Sequence, residues 1–165
     1  MANKGLSFID GQTSGLETAI AVGDGARIAT FRATVQNSAG YETFDSVILR
    51  LANGNDNSAP FDDLRFEWDR AGNSFAEIGA DASAMASISP SSASDCSGTV
   101  CNLDFKIIFN RSFSATSTLY SGQLYSSDTG GPANTDEDTY LNLFQVKKSW
   151  LEQQHYRWRN DDGGG

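Results

Sequence analysis

One histidine, His155, supplies all the imidazole in this sequence. That scarcity bears on two kinds of chemistry at once. A histidine-activated nucleophile has a single candidate base, and no Gly-x-Ser-x-Gly elbow accompanies it. A zinc site needs about four ligands, and two cysteines with one histidine fall short of that set. Lysine is scarce as well, at Lys4, Lys106, Lys147 and Lys148. Twelve basic against 21 acidic residues leave a net charge of −9 and a pI near 4.4. Such a chain repels phosphate backbones and anionic lipid, so neither nucleic acid nor a membrane surface is an expected partner. No apolar run is long enough to cross a bilayer, so membrane insertion is not expected. The opening "MANKGLSFIDGQ" lacks the basic start and apolar stretch of a secretory leader. The chain is therefore expected to be cytosolic, processed, or part of something longer.

What is present is strand chemistry. Ser, Gly, Asn, Asp, Ala and Thr are plentiful, and 18 aromatic residues run from Phe8 to Trp158. The length of 165 residues suits one domain with a proper core. Apolar residues recur at every second position. Residues 27–37 place Ala29, Phe31, Ala33 and Val35 on one face. Residues 46–51 align Val47, Leu49 and Leu51, and residues 64–70 set Leu64, Phe66 and Trp68 against Arg65, Glu67 and Asp69. Ala71-Gly72-Asn73 then turns the chain into a strand over 74–79. Residues 103–110 align Leu103, Phe105, Ile107 and Phe109, while 117–127, 139–148 and 16–22 complete the set. This is the period of half-buried strands, bounded by turn-forming residues. It predicts an all-β sandwich of the immunoglobulin-like kind, about eight strands with strand-like tails. Long loops are expected over 52–63 and 80–102. The Ala-rich 80–89 stretch reads as a strand, with a short helix as the alternative. The domain is expected over 16–150, with an N-terminal arm over 1–15 and a connector over 151–165.

Cys96 and Cys101 enclose Ser-Gly-Thr-Val. The spacing favours a disulfide across a tight hairpin, over free thiols or a zinc pair. A ring this small contributes about 2 kcal/mol. A disulfide would place the protein in an oxidising, extracytoplasmic setting.

Acidic clusters punctuate the loops: Asp56 with Asp62 and Asp63, then Asp128, then Asp136 with Glu137 and Asp138. If loops converged, Asp62, Asp63, Asp128 and Asp136 would offer oxygens to a structural calcium. The plainer reading is turns that use Asp and Asn to bond their own backbone, with no cofactor. Glu67 and Asp69 are the carboxylates to consider for acid–base catalysis, but their strand turns them from the core, as on any soluble sandwich. An enzyme is not expected. Tyr41, Tyr120, Tyr125 and Tyr140 are the candidate aromatic platforms for a glycan. Asn110-Arg111-Ser112 matches a glycosylation sequon, relevant only in a host with that machinery.

The end of the chain, "HYRWRNDDGGG", alternates Tyr156 and Trp158 with Arg157 and Arg159 before an Asn-Asp-Asp-Gly turn. An exposed aromatic pair forfeits about 1.5–3 kcal/mol per side chain relative to burial. The segment is expected either to fold back on its own sheet or to pair with another module or subunit by strand addition.

Three stretches carry a resemblance. "NLDFKIIFNRSFSA" over 102–115 and "LYSGQLYSSDTGG" over 119–131 resemble the second half of immunoglobulin-like modules in repetitive bacterial surface and exported proteins. In these an apolar strand ends in Phe-Asn and the next ends in an Asp-x-x-Gly turn, here Asp128-Thr129-Gly130-Gly131. "YRWRNDDG" over 156–163 resembles a segment found at module edges in such proteins. The resemblance implies a non-catalytic extracellular structural or adhesive module, or a filament subunit, whose partners are like modules. A carbohydrate-binding module is the alternative. Lys106 faces away from Phe105 and Ile107, which does not suit the buried isopeptide crosslink of some bacterial adhesin sandwiches.

Overall fold

A computed structural model describes residues 1–10, 12–13, 19–53, 64–78, 86–110, 120–130 and 134–147. These form twelve strand segments and one 3-10 turn at Tyr41–Thr43. The strands are β1 (Ala2–Asp10), β2 (Gln12–Thr13), β3 (Ala19–Val22), β4 (Ile28–Gln36), β5 (Phe44–Asn53) and β6 (Leu64–Asp69). They continue as β7 (Ser74–Glu77), β8 (Ala86–Ile88), β9 (Ala93–Ser97), β10 (Val100–Phe109), β11 (Tyr120–Asp128) and β12 (Thr135–Lys147). Two sheets result. One runs β1-β4-β10-β8, with β9 also on β10, and the other runs β2-β3-β12-β11-β5-β6-β7. All pairings are antiparallel except β3 with β12.

The strand order is that of a variable-type immunoglobulin sandwich, in which A-B-E-D faces G-F-C-C′-C″. β1 takes the place of strand A, β4 of B, β10 of E and the broken pair β8/β9 of D. In the facing sheet β12, β11, β5, β6 and β7 follow as G, F, C, C′ and C″. After β1 the chain crosses to the second sheet, where β3 lies parallel to β12.

Alternation explains the core. Every inward residue expected from the period is buried: Ala29, Phe31, Ala33 and Val35 on β4, Leu64, Phe66 and Trp68 on β6, and Leu103, Phe105, Ile107 and Phe109 on β10. No inter-sheet disulfide spans the centre. Phe144 stands there instead, with ring centroids 4.9 Å from Phe31, 5.2 Å from Tyr120, 5.7 Å from Phe109 and 6.1 Å from Phe8. Burying rings of this size dominates the energy of a small sandwich.

Some expectations need correction. The strand segments number twelve among the described residues, against about eight expected. The expected arm over 1–15 contains β1, nine residues paired along β4 with Leu6 buried. β8 falls within the 80–89 stretch read as a strand, but the loop expected to follow it contains β9 and the start of β10. β9 reads Ala-Ser-Asp-Cys-Ser, and its residues alternate only between exposed and half-buried. A strand at the rim of a sheet needs no apolar face, so hydropathy does not register it.

Candidate association surface

Most hairpin turns and crossovers described here gather at one end of the sandwich. β4 leads into β5 through residues 37–43, β6 into β7 through 70–73, β9 into β10 through Gly98 and Thr99, and β11 into β12 through 129–134. Register fixes this placement: Gln36 opposes Val100, Asp128 opposes Phe44, and Ser46 opposes Asp69. The loops are bonded to one another. The Asn37 amide N–H donates to Thr99 O at 2.8 Å, Tyr41 N–H to Gly98 O at 3.0 Å, and Thr129 N–H to Thr43 O at 2.9 Å. Asn37 is buried, and its side-chain amide donates to Asp128 Oδ2 at 3.2 Å while its Oδ1 accepts from Ala39 N–H at 3.1 Å. Gly40 at φ 108° and Gly98 at φ 59° occupy left-handed backbone that a side chain would strain. The result is a cross-braced polar surface, with exposed acids at Glu42 and Asp45.

The disulfide is present. Cys96 and Cys101 are register partners on β9 and β10, with Cα atoms 4.1 Å apart. It pins the β9–β10 hairpin that carries Gly98 and Thr99, and so supports the loop end directly.

The other expected site residues are distributed as follows. Asp128 forms the anticipated turn, its Oδ1 accepting from Gly130 N–H at 2.8 Å. That backbone bond, with help from the Asn134 and Asn37 amides, holds the carboxyl below its usual pKa. Both Asp128 oxygens therefore already have protein donors. Asp136 lies on β12 opposite Ser126, on the same strand face as Asp138 and Tyr140. Burial, reinforced by those two carboxylates, pushes the Tyr140 phenol up. Asp62 and Asp63 lie outside the described residues. Among the described residues no group of three or more His, Cys, Asp or Glu side chains could hold a metal ion.

The tyrosines differ from one another. Tyr120 is core. Tyr41 and Tyr140 are half-buried against the core. Tyr125 lies on the outer face of its sheet under Arg50, whose guanidinium carbon is 5.2 Å from the ring centroid. Arg50 also donates to Gln123 Oε1 at 2.9 Å and Glu137 Oε2 at 3.3 Å. None of these four tyrosines presents a bare platform. Glu67 and Asp69 are half-buried on the outer side of β6, as expected, and Asp69 Oδ2 accepts from Gly72 N–H at 2.7 Å in the β6–β7 turn. Tyr156, Arg157, Trp158 and Arg159 lie outside the described residues, as does His155.

Sequence reasoning missed Asn37, the buried brace between loops. Its only signal is position: a polar residue directly after a strand, in Gln-Asn-Ser-Ala-Gly. It also missed Asn73, which takes φ 45° and accepts from Trp68 Nε1–H at 3.0 Å and Ser94 O–H at 2.6 Å. Compared with known proteins, the chain matches no protein-family model and no curated protein.

One further geometric fact bears on association. β1 begins at the loop end, where Ala2 opposes Gln36. β12 begins there too, at Thr135 opposite Ser127, and finishes at Lys147 at the far end. β1 thus starts at one end of the sandwich and β12 finishes at the other, about 40 Å away by strand rise.

Proposed function

We propose that this protein is a non-catalytic extracellular structural or adhesive module that associates head to tail with like modules. The observation that carries this reading is the opposed placement of Ala2 and Lys147 at the two ends of one sandwich. A chain leaving the far end of one molecule is directed at the loop end of the next. The braced loop end suits the role of receiver: its hydrogen bonds link three connections, so little ordering remains to be done on binding. Its exposed acids, Glu42 and Asp45, complement Arg157 and Arg159 of an arriving segment. Tyr156 and Trp158 supply the aromatic burial that such contacts draw on. β1 offers a second means of capture. Among the described residues it is paired on one side only, which leaves a nine-residue backbone edge for strand addition. The Cys96–Cys101 disulfide supports an oxidising, extracytoplasmic setting.

The experiment compares the full chain with residues 1–154 by sedimentation velocity over a concentration series. Loss of self-association in the shorter chain, with an unchanged far-UV spectrum, is the expected result. Equal association of both chains would reject the terminal segment as the joining element.

A further inference from the structure

We propose that the hollow between β7 and the break separating β8 from β9 is a binding site for a neutral saccharide. The inference is independent of the head-to-tail reading, which uses a different part of the molecule.

The hollow has a structural origin. β8 and β9 both lie against β10, on Ile107–Phe109 and Val100–Asp104 respectively. They would be one edge strand but for Ser89-Pro90-Ser91-Ser92, where proline removes a ladder donor. The break leaves a half-open space of about 320 Å³ beside β7. That lies at the lower end of the small-ligand range of about 300–1,000 Å³.

Its frame is fixed. Two hydrogen bonds join the two sheets across this flank. Glu77 Oε1 accepts from Ile88 N–H at 2.8 Å, and Ser94 O–H donates to Asn73 Oδ1 at 2.6 Å. Phe75 is held edge-on to Phe105, centroids 5.2 Å apart and planes at 87°. Ser89 and Ser91 bond each other at 2.9 Å, and Ser92 Oγ accepts from Lys106 N–H at 3.0 Å.

The lining decides the ligand class. Phe75, Ile88 and Pro90 give apolar walls, while Asn73, Ser74 and Ser92 give amide and hydroxyl groups. Among the described residues no ionised side chain lines the space, so they offer neither an anion nor a cation a counter-charge there. Asn73 Oδ1 is fully engaged by Trp68 and Ser94, and among the described residues nothing accepts from its NH₂ or bonds the Ser74 hydroxyl. Uncharged donors and acceptors beside an aromatic and a proline match a sugar ring, which presents hydroxyls at its rim and C–H groups on its faces.

The test uses the ¹⁵N-labelled full chain. Lactose, maltotriose, cellotriose and chitotriose serve as neutral probes, and sialyllactose and trigalacturonate as acidic ones. At least one neutral probe is expected to shift the amides of Ser74, Phe75, Ser89, Ser91 and Ser92 saturably, at millimolar concentration. Ser74→Arg, placed on the exposed rim, should fill the hollow and weaken that probe about tenfold or more, with the remaining spectrum unchanged. The proposal is overturned if no neutral probe moves these amides or if the shifts map to another surface. It is equally overturned if an acidic probe binds more tightly, or if Ser74→Arg binds as the wild type does.

Discussion

Asn37 on the β4–β5 loop donates its side-chain amide to Asp128 at the end of β11, joining two loops from opposite sheets at 3.2 Å. The donor is 2% exposed, so its amide is bonded or it is a cost. Asn37→Ala should lower stability by about 1–2 kcal/mol, because it also removes the acceptor of Ala39 N–H. Asn37→Asp should do more harm at neutral pH, setting a carboxylate against Asp128, and should partly recover on acidification. Urea denaturation at two pH values checks both; indifference to either change would remove the brace from the account.

Acid should loosen the same turn. The Asp128 carboxyl is held below its usual value, first by the Gly130 backbone N–H and then by the two amides. A group with a depressed folded pKa stabilises the fold above its unfolded value, near 3.9, and that contribution is lost as pH falls through the folded value. Protection of the Gly130 amide against exchange should therefore fall more steeply below about pH 4 than protection in the core strands. In Asp128→Ala the turn should exchange quickly at every pH, without the acid step.

Reduction of Cys96–Cys101 should weaken the protein without unfolding it. The ring is small, so the entropic loss is about 2 kcal/mol. The β9–β10 ladder and the buried core do not depend on it. Phe144→Ala gives the contrast. It removes the ring that meets Phe8, Phe31, Phe109 and Tyr120, and should cost about 3–5 kcal/mol. Denaturation of the double Cys→Ser variant and of Phe144→Ala should rank them in that order.

Legibility in the sequence followed burial. Where a strand packs one face on the core, as at Leu64, Phe66 and Trp68, the period of two names the inward side and the structure agrees. Where a strand lies at a sheet rim, the signal fades. β9 has no apolar face, and β8 lies in an alanine-rich stretch that reads as a strand but leaves a short helix as the alternative. The hairpin disulfide was readable because two cysteines with a glycine between them form a local feature. The loop end was not, because Asn37 and Asp128 are 91 positions apart and only strand order brings them together. The hollow beside Phe75 depends likewise on a break in β8/β9 meeting β7 from the other sheet. Residues contributed by both sheets leave no periodic trace.

Charge should govern the head-to-tail contact if Arg157 and Arg159 meet the loop end. Glu42 is exposed there on the connection that the Thr129–Thr43 and Tyr41–Gly98 bonds hold in place, and Asp45 is exposed at the start of β5. An exposed acid–arginine contact is screened by salt, with a Debye length of about 10 Å at 0.1 M. Self-association of the full chain should therefore weaken as salt rises, unlike association driven by aromatic burial alone. Glu42→Lys with Asp45→Lys should weaken it about tenfold at low salt and flatten the salt dependence. Both side chains lie outside the core, so folding should be unaffected. Sedimentation of the wild type and the double variant at two salt concentrations separates the contributions. A variant that associates as tightly as the wild type would place the arginines elsewhere and leave Tyr156 and Trp158 as the contact to trace.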